Sequence, residues 1–265
     1  MRYWSVIVVG LLLFTSCKND VSKDIVETSR SKTLAQYLFL DAFRQTIGVV
    51  PEFVAEGLKS GAAVTITTSS SFDNSAYPKT VTIDYGSVNQ QDEMGINRRG
   101  KILVSVLSNK ITKGDFKITF DKFYFNDTRM LGTLSSSFVG SISSDDYSLV
   151  LEESCKISNA NGTMSLSGTM SLKMTEGNQS IDVFDDVYLL TEKTSGLDFS
   201  GDTYSANSTT GYTLDFSCRW IVVAGSGEVN PNDIAVQKLN FGSGSCDGIV
   251  TAEVGKDDFI GFQVK

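Results

Sequence analysis

The sequence predicts an all-β fold, mostly antiparallel, with one N-terminal helix. Three observations predict it. Beyond about Ala62 the chain is rich in Ser, Thr, Val and Ile, set in short alternating runs that Gly, Asn and Asp separate. Two of those runs alternate over eleven residues, so one face is apolar and the other wet. A single segment, from Thr33, carries apolar residues at helical spacing instead.

The elements follow in order. Met1 and Arg2 open an almost wholly apolar run from Val6 to Phe14, closed by Thr15-Ser16-Cys17. A basic start, a short apolar stretch and small residues before the cut form a secretory signal over residues 1–16, too short to span a bilayer. Leu13-Phe14-Thr15-Ser16-Cys17 resembles a lipobox, with Phe14 where Leu is usual, and makes Cys17 the expected lipidated first residue of the mature chain. Lys18-Asn19-Asp20 resembles a surface-export signal. Residues 17–32 are polar and aperiodic, as expected of a tether. Leu34, Tyr37, Leu38, Ala42 and Phe43 then recur at intervals of three and four, with Gly48 and Pro51 beyond them. This predicts an amphipathic helix over residues 33–50, packed on the sheet, with Asp41 and Arg44 on its wet side.

Residues 51–265 are expected to form one β-rich domain. The clearest strand runs from Met164 to Met174; a second, Tyr212 to Val222, turns Tyr212, Leu214, Phe216, Cys218 and Trp220 to the core. Others are expected at 62–69, 79–85, 101–108, 115–125, 129–139, 147–157, 181–191, 235–241, 247–254 and 258–264. About a dozen antiparallel strands imply a meander, a sandwich or a partly closed barrel. A weak internal hairpin repeat relates 79–106 to 235–254. Thr82-Ile83-Asp84-Tyr85-Gly86-Ser87 matches Lys238-Leu239-Asn240-Phe241-Gly242-Ser243, each followed by a glycine and a second strand.

Composition narrows function. Thirty-one acidic against 23 basic residues give a net charge of −8, one unit more negative once Arg2 leaves with the signal. That field disfavours nucleic acid. There is no histidine, which excludes Ser-His-Asp and Cys-His catalysis and any histidine-ligated metal. With Cys17 lipidated, Cys155, Cys218 and Cys246 leave three possible disulfides and one spare thiol. No Cys-x-x-Cys and no Asp-x-Asp-x-Asp-Gly loop occurs, so no metal or cofactor site is assigned.

Several blocks resemble uncharacterised Bacteroidota cell-envelope lipoproteins. They are Phe216-Ser217-Cys218-Arg219-Trp220-Ile221-Val222, Leu239-Asn240-Phe241-Gly242-Ser243-Gly244-Ser245-Cys246-Asp247, Ile83-Asp84-Tyr85-Gly86, Arg99-Gly100-Lys101-Ile102 and Thr119-Phe120-Asp121-Lys122-Phe123. The resemblance covers most of residues 80–254. It implies a Cys218–Cys246 bond, with Cys155 left over, and attachment to the outer membrane. The chain departs from it after Gly86, at Ser87-Val88-Asn89, where relatives often carry a further cysteine.

No catalytic residue is assigned. The expected function is a lipid-anchored envelope protein, non-enzymatic, that binds a glycan or an envelope protein or serves structurally. It is expected at the cell surface, or alternatively on the periplasmic face. The alternative function is a carboxylate-dependent glycan-active enzyme, which needs two acids converging across a cleft. Adjacent pairs such as Glu152-Glu153 or Asp185-Asp186 point to opposite faces of a strand and cannot be that dyad. Trp220 is expected in the core. In the crowded run Phe120 to Phe125 one ring is expected outside, and Tyr124 is the candidate. The candidate binding surface joins Tyr124 to Asp92, Arg98 and Arg99 of the long hairpin loop.

Overall fold

The computed structural model describes residues 25–48, 64–68, 77–107, 115–139, 146–180, 182–232, 234–256 and 258–264. Cys17 and residues 1–24 lie outside them. The helix α1 spans Glu27–Ile47. Sixteen strands follow among the described residues: β1 Thr65–Thr68, β2 Lys79–Asp84, β3 Gln90–Gln91, β4 Asn97–Val106, β5 Phe116–Phe125, β6 Thr128–Leu131, β7 Thr133–Phe138, β8 Tyr147–Leu151, β9 Lys156–Asn159, β10 Gly162–Glu176, β11 Val187–Leu197, β12 Thr203–Asp215, β13 Val222–Pro231, β14 Gln237–Ser243, β15 Ile249–Val254 and β16 Asp258–Gln263.

Among the described residues all strand pairs are antiparallel and lie in one continuous sheet. The path runs β1-β2-β4-β5-β6-β9-β10 and then in sequence order to β16, with β3 beside β4 and with β7 and β8 filling between β5 and β10.

The sheet is wrapped round α1. The helix touches β4, β5, β10 and β13, and Tyr37, Phe39 and Phe43 meet Phe125, Phe120 and Phe116 in turn along β5. Trp220, expected in the core, is partly buried and packs against it, on Tyr37 at 5.0 Å between ring centroids. The helix is therefore not amphipathic as expected: Lys32, Asp41 and Arg44 are buried with its apolar residues. Burying charge is costly unless partners are supplied, and the sheet supplies them. Lys32 Nζ pairs with Glu192 and also donates to Gln36 Oε1 at 2.8 Å. Asp41 accepts from Arg44 at 2.6 Å and from Arg98 at 2.9 Å. Thr28 donates to Asp198 at 2.7 Å and Ser29 donates to Gln237.

Those contacts also move the helix boundary. The helix begins at Glu27 and not at residue 33, because Thr28, Ser29, Ser31 and Lys32, which read as tether, are inside the sheet. The polar stretch after Cys17 is correspondingly shorter.

A second correction concerns Tyr212 to Val222. β12 starts earlier, at Thr203, and stops at Asp215; residues 216–221 turn, and β13 resumes at Val222. The Asp215 carboxylate accepts from the Ser217 N–H at 2.9 Å, a local bond that competes with the ladder. Arg44 fastens the turn by donating to the carbonyls of Phe216 and Cys218 at 2.9 and 3.0 Å. Cys218 is buried and bonded to Cys246, as the resemblance implied. Cys155 is free and buried. The strand expected at 181–191 also starts late, since Val183–Asp185 form a 3-10 turn capped by Asp182.

Candidate functional site

The site is built by a β-bulge. In the β4–β5 ladder Lys101 faces Asp121 and Arg99 faces Tyr124, so the single residue Gly100 opposes both Lys122 and Phe123. Lys122 takes φ of 47° and Gly100 φ of 84° to close the irregularity. Only glycine fits at 100, because a Cβ would lie 2.0 Å from the Lys122 carbonyl oxygen. The extra residue resets the alternation of β5. Phe120, Phe123 and Phe125 all turn to the core while Tyr124 turns out, as expected of it.

Around Tyr124 the outer face carries a groove of about 440 Å3, lined by Asp84, Ser87, Arg99, Lys101, Asp121 and Lys122 among others. The Arg99 guanidinium sits 3.9 Å from the Tyr124 ring centroid, a close cation–π stack. Arg99 is held there by Asn89 Oδ1 at 2.7 Å and by Asp127. On the other side Lys101 pairs with Asp84 at 2.8 Å. That ammonium, helped by the Gly86 N–H, holds the Asp84 carboxyl below the usual range, and Asp84 in turn raises Lys101. Asp121 and Lys122 are exposed. The groove therefore presents a stacked aromatic ring beside fixed charges of both signs.

Four residues were expected to share this surface. Two do, Tyr124 and Arg99. Arg98 and Asp92 do not: Arg98 is 2% exposed and lies under Asp41, with Nη1 donating to Asp92 at 2.5 Å. Neighbours on a strand face opposite ways, so Arg98 could not join Arg99 outside. The residues missed by the sequence reading are Asp84, Lys101, Asp121 and Lys122. Their signal was Gly100, the residue that marks the bulge.

The hairpin repeat has a structural counterpart. Asp84 Oδ1 accepts the Gly86 N–H at 2.8 Å, and Asn240 Oδ1 accepts the Gly242 N–H at 2.8 Å. Gly86 and Gly242 have φ of 77° and 81°. Asp84 faces Lys101 as Asn240 faces Thr251.

Among the described residues no group of three or more His, Cys, Asp or Glu could hold a metal ion, and no helix is long and apolar enough to cross a membrane. Compared with protein-family models, curated proteins and solved structures, the chain matches none.

Proposed function

We propose that the chain is a lipid-anchored, non-enzymatic binding module of the bacterial outer membrane, displayed at the cell surface, whose Arg99–Tyr124 groove takes a polar ligand such as a glycan. The observation that carries this reading is the lipobox ending at Cys17, ten positions before the start of a helix locked inside the sheet. Ten residues reach at most about 35 Å, so a lipid on Cys17 keeps the domain close to the bilayer. The start of α1 is fixed by Asp198 and Gln237 at one end of the sheet. The groove lies level with the middle of the helix: Asp121 to Tyr124 fall between Phe120, which meets Phe39, and Phe125, which meets Tyr37, while Tyr85 donates to Gln45.

Binding suits this groove better than hydrolysis. A glycosidase needs one carboxylic acid kept protonated by a raised pKa, whereas Lys101 and the Gly86 N–H shift the Asp84 carboxyl the other way, below its usual range. A stacked ring with flanking hydrogen-bonding groups is the equipment of recognition.

Fractionation and protease shaving of cells test the reading. Wild type is expected in the outer membrane and is expected to be cut on intact cells, while Cys17→Ala is released into the soluble fraction. A Cys17→Ala protein that stays with the membrane like wild type overturns the anchor; wild type cut only after lysis moves it to the periplasmic face. A glycan array with Tyr124→Ala as control tests the groove, and binding that the variant leaves unchanged removes it.

A further inference from the structure

The second hairpin of the repeat carries a groove of its own on the outer wall. Its volume is about 320 Å3, and it is lined by Thr209, Ser226, Glu228, Lys238, Asn240, Thr251, Glu253 and Phe259 among others. Asn240 and Thr251 stand where Asp84 and Lys101 stand in the first groove. Each groove holds one aromatic ring, here Phe259, which is 65% exposed.

Register explains the layout. Asn207 faces Glu228, Glu228 faces Lys238, Lys238 faces Glu253 and Glu253 faces Phe259, so one unbroken outward row crosses β12 to β16. A large apolar ring left in water at the end of a row of hydrogen-bonding groups is an informative exception to burial. Neighbouring strands lie about 4.8 Å apart, so the row is about 19 Å long. That spacing is close to the rise of one sugar unit along an extended glycan.

We propose that this row is a second binding groove, for a neutral extended polysaccharide, lying across the strands with one sugar ring on Phe259. The inference rests on the binding-module reading above and adds a ligand class and a second site. Glu228 and Glu253 accept from sugar hydroxyls and repel anionic chains. Lys238, held by Glu253 at 3.1 Å, and the Asn240 amide donate to sugar oxygens. The aromatic face covers the C–H face of one ring. Apolar side chains would desolvate the two carboxylates without giving them donors, whereas every sugar ring brings several hydroxyls. Two grooves on one anchored domain would raise the avidity for a long polymer without tight binding at either.

The test is calorimetric titration of the full-length protein in detergent with cellohexaose, laminarihexaose, maltohexaose and mannohexaose. At least one hexaose is expected to bind, with Phe259→Ala weakening it at least tenfold and Val139→Ala, at an exposed position outside both grooves, changing it less than twofold. Because Phe259 is exposed, its truncation leaves the core intact, and an unchanged circular dichroism spectrum checks this. Binding lost in Tyr124→Ala and kept in Phe259→Ala overturns the second groove while leaving the binding-module reading in place. Binding indifferent to both variants, or no binding by any hexaose, also overturns it.

Discussion

Arg98 donates to both carboxylate oxygens of Asp41, from Nη2 at 2.9 Å and Nε at 3.1 Å, with both side chains buried. Arg44 completes the cluster from one turn further along the helix. The bond ties the centre of α1 to β4, one residue from the groove. Burial alone would raise the Asp41 pKa, but Arg98 and then Arg44 override it, and the carboxyl titrates below its ordinary value.

Asp41→Asn takes the counter-charge from buried Arg44 and leaves buried Arg98 with Asp92 alone, and a loss of about 3–5 kcal/mol is expected. The pH dependence has a definite sign. A carboxyl with a depressed folded pKa stabilises fully above its unfolded value near 4 and ceases to do so as pH falls through the folded value. Guanidinium unfolding at pH 7 and pH 3 should show wild type losing stability in acid, with the gap to Asp41→Asn narrowing. A variant within about 1 kcal/mol of wild type at pH 7 would contradict the account.

Lys32 and Glu192 form a second buried pair. Burial lowers the Lys32 pKa, and Glu192 opposes that shift without cancelling it. Lys32→Met should cost about 3 kcal/mol or more by stranding the carboxylate, and adding Glu192→Leu should restore most of the loss. A thermodynamic cycle from denaturant unfolding measures the coupling. Additive single losses would show that the pair does not act as a unit.

The Cys218–Cys246 bond joins residues 28 apart and fastens the turn that Arg44 also holds. The chain-entropy relation gives about 3.5 kcal/mol for a loop of this size. The Cys218→Ser, Cys246→Ser variant should lose an amount of that order, read from denaturant midpoints under oxidising conditions.

Cys155 is sealed where β7 meets β8, with Sγ 3.0 Å from the Thr133 carbonyl oxygen. Burial pushes its thiol up to about 12. In a Cys17→Ala background, iodoacetamide at pH 8 should leave native protein unmodified and add one group after unfolding, because the thiolate is the reactive form. Rapid native alkylation would place Cys155 at the surface.

What the sequence disclosed depended on whether a signal was local. Alternation in Met164 to Met174 was legible because one face of β10 is buried and the other is wet. Tyr124 was legible because a run as crowded as Phe120 to Phe125 cannot turn every ring inward. The start of α1 was hidden because Thr28, Ser29 and Lys32 look solvated until distant Asp198, Gln237 and Glu192 reach them. Arg98 misled for the same reason, its partner being Asp41, 57 residues away. Apolar periodicity reports burial of apolar groups, and this core also buries charge.

The most direct test of the anchored-module account is the intact mass and N-terminal peptide of the mature protein, isolated from membranes of the native host. The account predicts a chain beginning at Cys17 with its thiol carrying a diacylglyceryl group. A mature chain that begins elsewhere, or an unmodified Cys17, would contradict it.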